Sequence, residues 1–322
     1  MIVTANMRLW EAFEHPRLKA ILPYAMYHHE VERILLRQKI KKVCRFTNWN
    51  EKDILRGLNR LQELADAHKE FACRVYSANE IAEDETKRDA LVFHFPVEGK
   101  TPFAVVVSGG AYTSVCNVSE GFAVAARLNE LGYHAFVVNY RTQGEPPLMP
   151  KPINDLAKAV RFIMDRAETF HVEKEYFITG YSAGGNLVNL FCTDNLGFRQ
   201  YGLAAPKACF PVYSTVDVDF AHTKKPDRFY RSRFGKQYSD QVFKDYDIVK
   251  HLATYPPAYL VHCKDDPTVP YEQSEKLAAA LEREGIPYRI ELGEKGGHGF
   301  GVGTGSSVEG WLERAVAFYN SL

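Results

Sequence analysis

Three features of the sequence predict an α/β fold with a mostly parallel central sheet and helices on both faces. From about residue 71 onward, short runs rich in β-branched and aromatic residues alternate with longer segments in helical register. Some of the runs, such as "FAVVVSG", are continuously apolar, as buried strands of a parallel sheet are. No repeat of fixed period and no low-complexity linker divides the chain, so its 322 residues read as one large α/β unit with insertions.

The elements follow in order. Residues 1–70 read as a helical N-terminal extension. "MYHHEVERILLRQKIKKV" is helical in composition, and Asn50 caps a helix whose Ile54, Leu55, Leu58, Leu61, Leu64 and Ala65 recur at three and four. Residues 71–322 read as the α/β domain. "FACRVYS" and "ALVFHFP" are strands separated by polar turns, and "FAVVVSG" is a buried strand. "SEGFAVAARLNELG" is a helix stopped by Gly132, followed by the strand "HAFVVNY". "PINDLAKAVRFIMDRAETF" carries proline in its first turn and is a helix. The strand "YFITGY" then feeds the helix "GGNLVNLFCT". "KACFPVY" and "PAYLVHC" are strands, "SEKLAAALEREG" is a helix, "YRIELG" a strand and "VEGWLERAVAFYNSL" a closing helix. Between "KACFPVY" and "PAYLVHC" lie about forty residues, long for such a connection. Residues 214–255 therefore read as a lid insertion.

Lysine plus arginine balance aspartate plus glutamate at 40 each, so no global field favours nucleic acid or an anionic membrane. No apolar stretch is long enough to span a bilayer. The first residues lack a basic segment followed by an apolar one, so no signal peptide is expected. Cys44, Cys73, Cys116, Cys192, Cys209 and Cys263 are scattered, mostly in apolar runs, and form no CxxC pair. They read as reduced cysteines of a cytoplasmic protein, and the sequon at Asn117 carries no weight.

The chemistry is concentrated in Gly180-Tyr181-Ser182-Ala183-Gly184, a G-x-S-x-G pentapeptide between a strand and a helix. A sharp strand-to-helix turn strains the serine backbone and demands small neighbours, and it exposes the hydroxyl beside helix amides. A serine hydroxyl needs a base, and the base needs an orienting carboxylate. His298 lies in "GEKGGHGFG" after a strand, with glycine on either side, and is the candidate base. His28, His29, His222, His251 and His262 lack that setting, and His262 reads as part of a strand. The candidate acid lies in "CKDDPTVP", where Asp265 and Asp266 are adjacent and the residues alone leave both open. Both loops leave the C-terminal ends of strands, where open α/β sheets place their sites.

Taken together, "SGGAY", "GYSAGG", "DPTVP" and "GGHGF" resemble the α/β-hydrolase esterases, above all the acetyl, xylan-type and feruloyl-like branch, over residues 71–322. The resemblance implies an α/β-hydrolase fold and a serine carboxylesterase with Ser182, Asp266 and His298 as its triad. It implies an oxyanion hole from the amides of Gly109, Gly110 and Ala183. The loop departs from the family pattern in having Ser108 and Ala111, which leaves open whether Gly109 or Gly110 points inward. The expected substrates are small-acyl esters, acetyl on carbohydrate first and hydroxycinnamoyl next, with no cofactor and no metal. A serine peptidase or amidase, and a non-enzymatic binding protein on the same fold, are the alternatives.

Lys224, Lys225, Arg228, Arg231, Arg233 and Lys236 interleave with Phe229, Tyr230 and Phe234 in the insertion. They read as a solvated lid face or a wall of the substrate pocket, not as a nucleic-acid platform. "GGHGFGVGTG" fits no dinucleotide register, no P-loop is present, and "HHEVER" is not H-E-x-x-H. Asp155 reads as a helix-start charge or loop anchor. The N-terminal helices suit a cap over the site, an extra layer on the sheet or a homo-oligomer contact, and the sequence does not choose among these.

Overall fold

The computed structural model describes residues 1–27, 32–67, 70–142, 147–217, 233–237 and 239–322. All eight runs read as strands form one sheet: β1 (Ala72–Arg74), β2 (Leu91–Phe95), β3 (Thr101–Val107), β4 (His134–Asn139), β5 (Val172–Tyr181), β6 (Ala208–Val212), β7 (Ala258–Cys263) and β8 (Tyr288–Gly293). Their order is β1-β2-β4-β3-β5-β6-β7-β8. β2 runs antiparallel to β1 and β4, and every pairing from β4 through β8 is parallel. This is the α/β-hydrolase fold, with β5 near the middle of the sheet.

Six longer helices cover the sheet: α1 (Glu51–Asp66), α2 (Ala123–Glu130), α3 (Lys151–Asp165), α4 (Ala183–Cys192), α5 (Glu272–Arg283) and α6 (Trp311–Asn320). Strand alternation divides the apolar residues between two cores. Ala104 and Val106 of β3 face a core built with α1, α2 and α6, whereas Phe103, Val105 and Val107 face one built with α3, α4 and α5.

The N-terminal extension belongs to the first of these cores. Leu9, Phe13, Leu18, Ile54, Leu58 and Leu61 are buried together with sheet residues such as Phe93 and Val137. The Asn50 side chain accepts the Lys52 amide at 2.9 Å and starts α1. Gly57 lets α1 press onto the chain entering α2, since a Cβ there would lie 2.6 Å from the Ala123 nitrogen. The expected helix over "MYHHEVERILLRQKIKKV" differs in detail. It is two short helices, Glu32–Leu36 and Ile40–Phe46, because Lys39 turns aside to bridge Arg8, and residues 28–31 lie outside the described ones.

Ahead of α2 the expected regular start is replaced by a wide π turn, Asn117–Phe122. Gly121 packs on Val137 and Ser108, where a Cβ would lie 2.7 Å and 2.9 Å from their side-chain atoms. That contact carries Glu120 inward. Within the insertion, the described residues form a short α-helix at Asp240–Asp245 and single 3-10 turns at Gly235–Gln237 and Ile248–Lys250. Lys224, Lys225, Arg228, Phe229, Tyr230 and Arg231 lie outside the described residues. All six cysteines are free, with Cys192, Cys209 and Cys263 buried. Among the described residues no helix is long and apolar enough to cross a membrane.

Candidate active site

β5 ends at Tyr181 and α4 begins at Ala183, so Ser182 must make the whole turn. Its φ of 53° and ψ of −118° are a conformation that non-glycine residues rarely adopt. The flanking glycines are sterically required. A Cβ on Gly180 would lie 2.3 Å from the Gly184 carbonyl oxygen, and one on Gly184 would lie 2.2 Å from that of Val107. The Ser182 amide is tied to the Val212 carbonyl at 3.0 Å.

His298 reaches Ser182 from the loop after β8. Its Nε2 is 2.9 Å from Ser182 Oγ and its Nδ1 is 2.7 Å from Asp266 Oδ2. The hydroxyl thus donates to one ring nitrogen while the other donates to a carboxylate. Burial disfavours charge on Asp266, but hydrogen bonds from His262, His298 and the Val269 amide outweigh it and hold the carboxyl well below its usual range. Asp266 Oδ1 accepts the Thr268 and Val269 amides at 2.8 and 2.9 Å. Asp265 points elsewhere, and its Oδ1 accepts the Gly296 and Gly297 amides at 2.9 and 2.8 Å. One aspartate meets the imidazole and its neighbour ties down the loop that carries it.

The glycine loop after β3 uses its two amides differently. The Gly109 amide donates to Glu120 Oε2 at 2.7 Å. The Gly110 amide, at φ 132°, donates to no group among the described residues. Ala183 opens α4, whose first amides have no intrahelical acceptor. Ser108, where the family pattern has histidine or proline, is buried and donates to Asn117 Oδ1 at 2.9 Å. Ala111 and Tyr112 sit at φ 55° and 60°, so a strained stretch follows the glycines. Arg233 of the insertion donates to the Ala111 carbonyl at 3.0 Å and lies over the Tyr112 ring.

Four further residues at the site escaped the sequence reading. His262, fully buried, has Nε2 at 3.1 Å from Asp266 Oδ2 and 3.0 Å from the Val269 carbonyl. Both are acceptors, so Nε2 carries the proton, and Nδ1 accepts from Ser274 Oγ at 2.8 Å. Its place at the end of a strand four residues before Asp266 was the available signal. The Tyr213 ring lies tilted against that of His298 with centroids 4.8 Å apart, and its hydroxyl donates to Glu120 Oε1 at 2.9 Å. Glu120 was hidden within an apolar helical pattern. Asn48 of the N-terminal extension donates to the carbonyls of Gly296 and, at 3.1 Å, His298. Asp155 is a loop anchor, accepting the Arg141 amide at 2.8 Å and the Arg141 guanidinium.

The BD-FAE family model matches residues 93–281, more than half of the chain. This chain belongs to the BD-FAE family. It is 26% identical over 244 residues to endo-1,4-beta-xylanase B of Butyrivibrio fibrisolvens, covering 71% of this chain and 35% of that protein. It is 28% identical over 211 residues to an acetylxylan esterase of Xylanibacter ruminicola, covering 62% of this chain and 41% of that protein. The chain therefore spans less than half the length of these two relatives. Among solved structures, an acetyl ester-xyloside bifunctional hydrolase from Caldicellulosiruptor lactoaceticus superposes with a TM-score of 0.65 at 23% identity, over 78% of this chain and 95% of that one. The likeness carries the α/β-hydrolase fold over most of both chains.

Proposed function

We propose that the protein is a serine carboxylic-ester hydrolase working through an acyl-enzyme. The observation that carries this reading is the unbroken series Ser182 Oγ, His298 and Asp266, at 2.9 and 2.7 Å. Ser182 attacks the ester carbonyl as its proton passes to His298 Nε2. Asp266 holds the imidazole in the required tautomer and stabilises its cation. The amides of Gly110 and Ala183 receive the oxyanion. His298 then protonates the departing alcohol, and water, deprotonated by the same nitrogen, releases the acid. The preferred substrates are small-acyl esters, acetyl on a carbohydrate first and hydroxycinnamoyl esters second. Support comes from the family and from relatives named as acetylxylan esterase and acetyl ester-xyloside hydrolase.

Purified protein is expected to hydrolyse p-nitrophenyl acetate and acetylated xylo-oligosaccharides and to leave amino-acid anilides intact. Ser182→Ala is expected to lower kcat by about 10⁶-fold. Turnover that survives this substitution overturns the reading. Anilide cleavage without ester cleavage favours a peptidase, and failure of a fluorophosphonate to label the native protein favours a binding role.

A further inference from the structure

Beside the catalytic series lies a buried acid that takes no part in it. Glu120 is 5% exposed, and no lysine or arginine pairs with it among the described residues. Burial pushes its carboxyl up from the ordinary range. Placing an unpaired carboxyl in an apolar interior is costly, and its oxygens must be satisfied by donors. Here the donors come from two different loops of the site. Oε2 accepts the Gly109 amide at 2.7 Å, and Oε1 accepts the Tyr213 hydroxyl at 2.9 Å. Tyr213 in turn accepts the Gly301 amide at 3.2 Å, within the loop that carries His298, and its ring lies against the imidazole.

The spacing around Glu120 is close on each side. A Cβ on Gly109 would lie 2.8 Å from Ser182 Cβ and 2.9 Å from Glu120 Oε2. A Cβ on Gly299, next to His298, would lie 4.0 Å from Glu120 Oε1. The carboxyl therefore spans the gap between the loop beside the nucleophile and the loop that carries the base. The wide π turn at Asn117–Phe122 is the backbone feature that turns this residue inward.

We propose that Glu120 is a positioning residue. The relay Gly109–Glu120–Tyr213–Gly301 holds the oxyanion loop and the histidine loop in one mutual geometry at Ser182. The inference rests on the hydrolase reading given above. The relay orients groups that act and itself touches no reacting atom.

The test uses the full chain and the variants Glu120→Ala, Glu120→Gln and Tyr213→Phe, with p-nitrophenyl acetate as probe. Glu120→Ala is expected to lower kcat by about ten- to a hundredfold, with KM unchanged to within about twofold. Glu120→Gln loses less, because its amide oxygen still accepts from Gly109. The double variant Glu120→Ala/Tyr213→Phe is expected to be no slower than Glu120→Ala, since both changes break one relay. Amide hydrogen exchange supplies a readout that needs no substrate. Gly301 exchanges faster in Glu120→Ala, and Gly109 exchanges faster in Tyr213→Phe.

Multiplicative losses in the double variant, kcat equal to wild type in folded single variants, or exchange confined to the mutated side overturns the proposal. If Glu120→Ala does not fold, Glu120→Gln and Tyr213→Phe carry the same comparison. A wild type inert toward esters but with linked exchange removes the hydrolase reading and keeps the relay. An active wild type with unlinked exchange removes the relay alone.

Discussion

Ser182 and His298 meet at 2.9 Å but are placed by opposite means. The serine is set by its own neighbourhood in the chain: a strand, a forced turn and a helix, with Gly180 and Gly184 too crowded for any side chain. The histidine sits among Gly296, Gly297, Gly299, Gly301, Gly303 and Gly305, which give its loop little stiffness of its own. It is held from outside, by Asp265 on the Gly296 and Gly297 amides, by Asn48 on two carbonyls, and by Tyr213 on the Gly301 amide. The proposed nucleophile is encoded locally and its proposed base is encoded by distant partners. A short motif therefore identifies the first far better than the second.

The largest effect that sharpens this comparison is expected from Asp266→Asn. With the imidazole in the wrong tautomer, kcat should fall by about 10⁴-fold while the serine turn stays intact, as steady-state kinetics and an unchanged fold by circular dichroism would show. The same residue sets an acid limit. Its folded carboxyl lies below its ordinary value, so it stabilises the protein at pH above the unfolded value, about 3.9, and that stability is lost as pH falls toward the folded one. Denaturant titrations from about pH 6 down to 3 should show a shallower decline for Asp266→Asn than for wild type. Equal slopes would remove the claim that the hydrogen bonds outweigh burial.

Gly184→Ala comes next and tests the local side of the comparison. The added methyl meets the carbonyls of Val107 and Ser108 at 2.2 and 2.5 Å, and backbone cannot yield as a side chain would. A loss of about 1–3 kcal/mol in unfolding free energy is expected, with activity lowered about 10²-fold. Wild-type stability would mean that the turn is not sterically imposed.

The smallest effect is expected from Asn48→Ala, which tests the distant side. Asn48 is exposed, so the fold should be unchanged, while loss of its hydrogen bonds costs about 1 kcal/mol in loop order and lowers kcat about fivefold. Hydrogen exchange should quicken at residues 296–305 and stay constant at Ser182. Uniform exchange across both segments would erase the contrast between local and remote placement.

Legibility in the sequence follows the same division. The strands, α1 and α3 through α6 announce themselves through β-branched runs and helical spacing, because burial acts on each element separately. Ser182, His298 and the Asp265-Asp266 pair were visible as residues leaving strand ends. The choice between the two aspartates needed coordinates, since adjacent carboxylates differ only in where their side chains point. The choice between Gly109 and Gly110 stayed open because the acceptor of the Gly109 amide, Glu120, lies eleven residues on inside an apolar pattern. His262, Tyr213 and Asn48 act through space, and no periodicity in one chain records such contacts. The π turn before α2 was likewise hidden, because its cause is the packing of Gly121 on Val137 and Ser108.

The contact between Asn48 and the His298 carbonyl joins residues 250 positions apart, and that between Asn50 and Thr304 spans 254. Pairings of such range bear a loop-closure cost that nearer contacts do not, so they are expected to close after them. The serine corner can be finished while those remote contacts are still open. Turnover is consequently a stricter gauge of complete folding than any spectroscopic measure of secondary structure: a population with its sheet assembled and this clasp unfastened would look native and yet turn over more slowly.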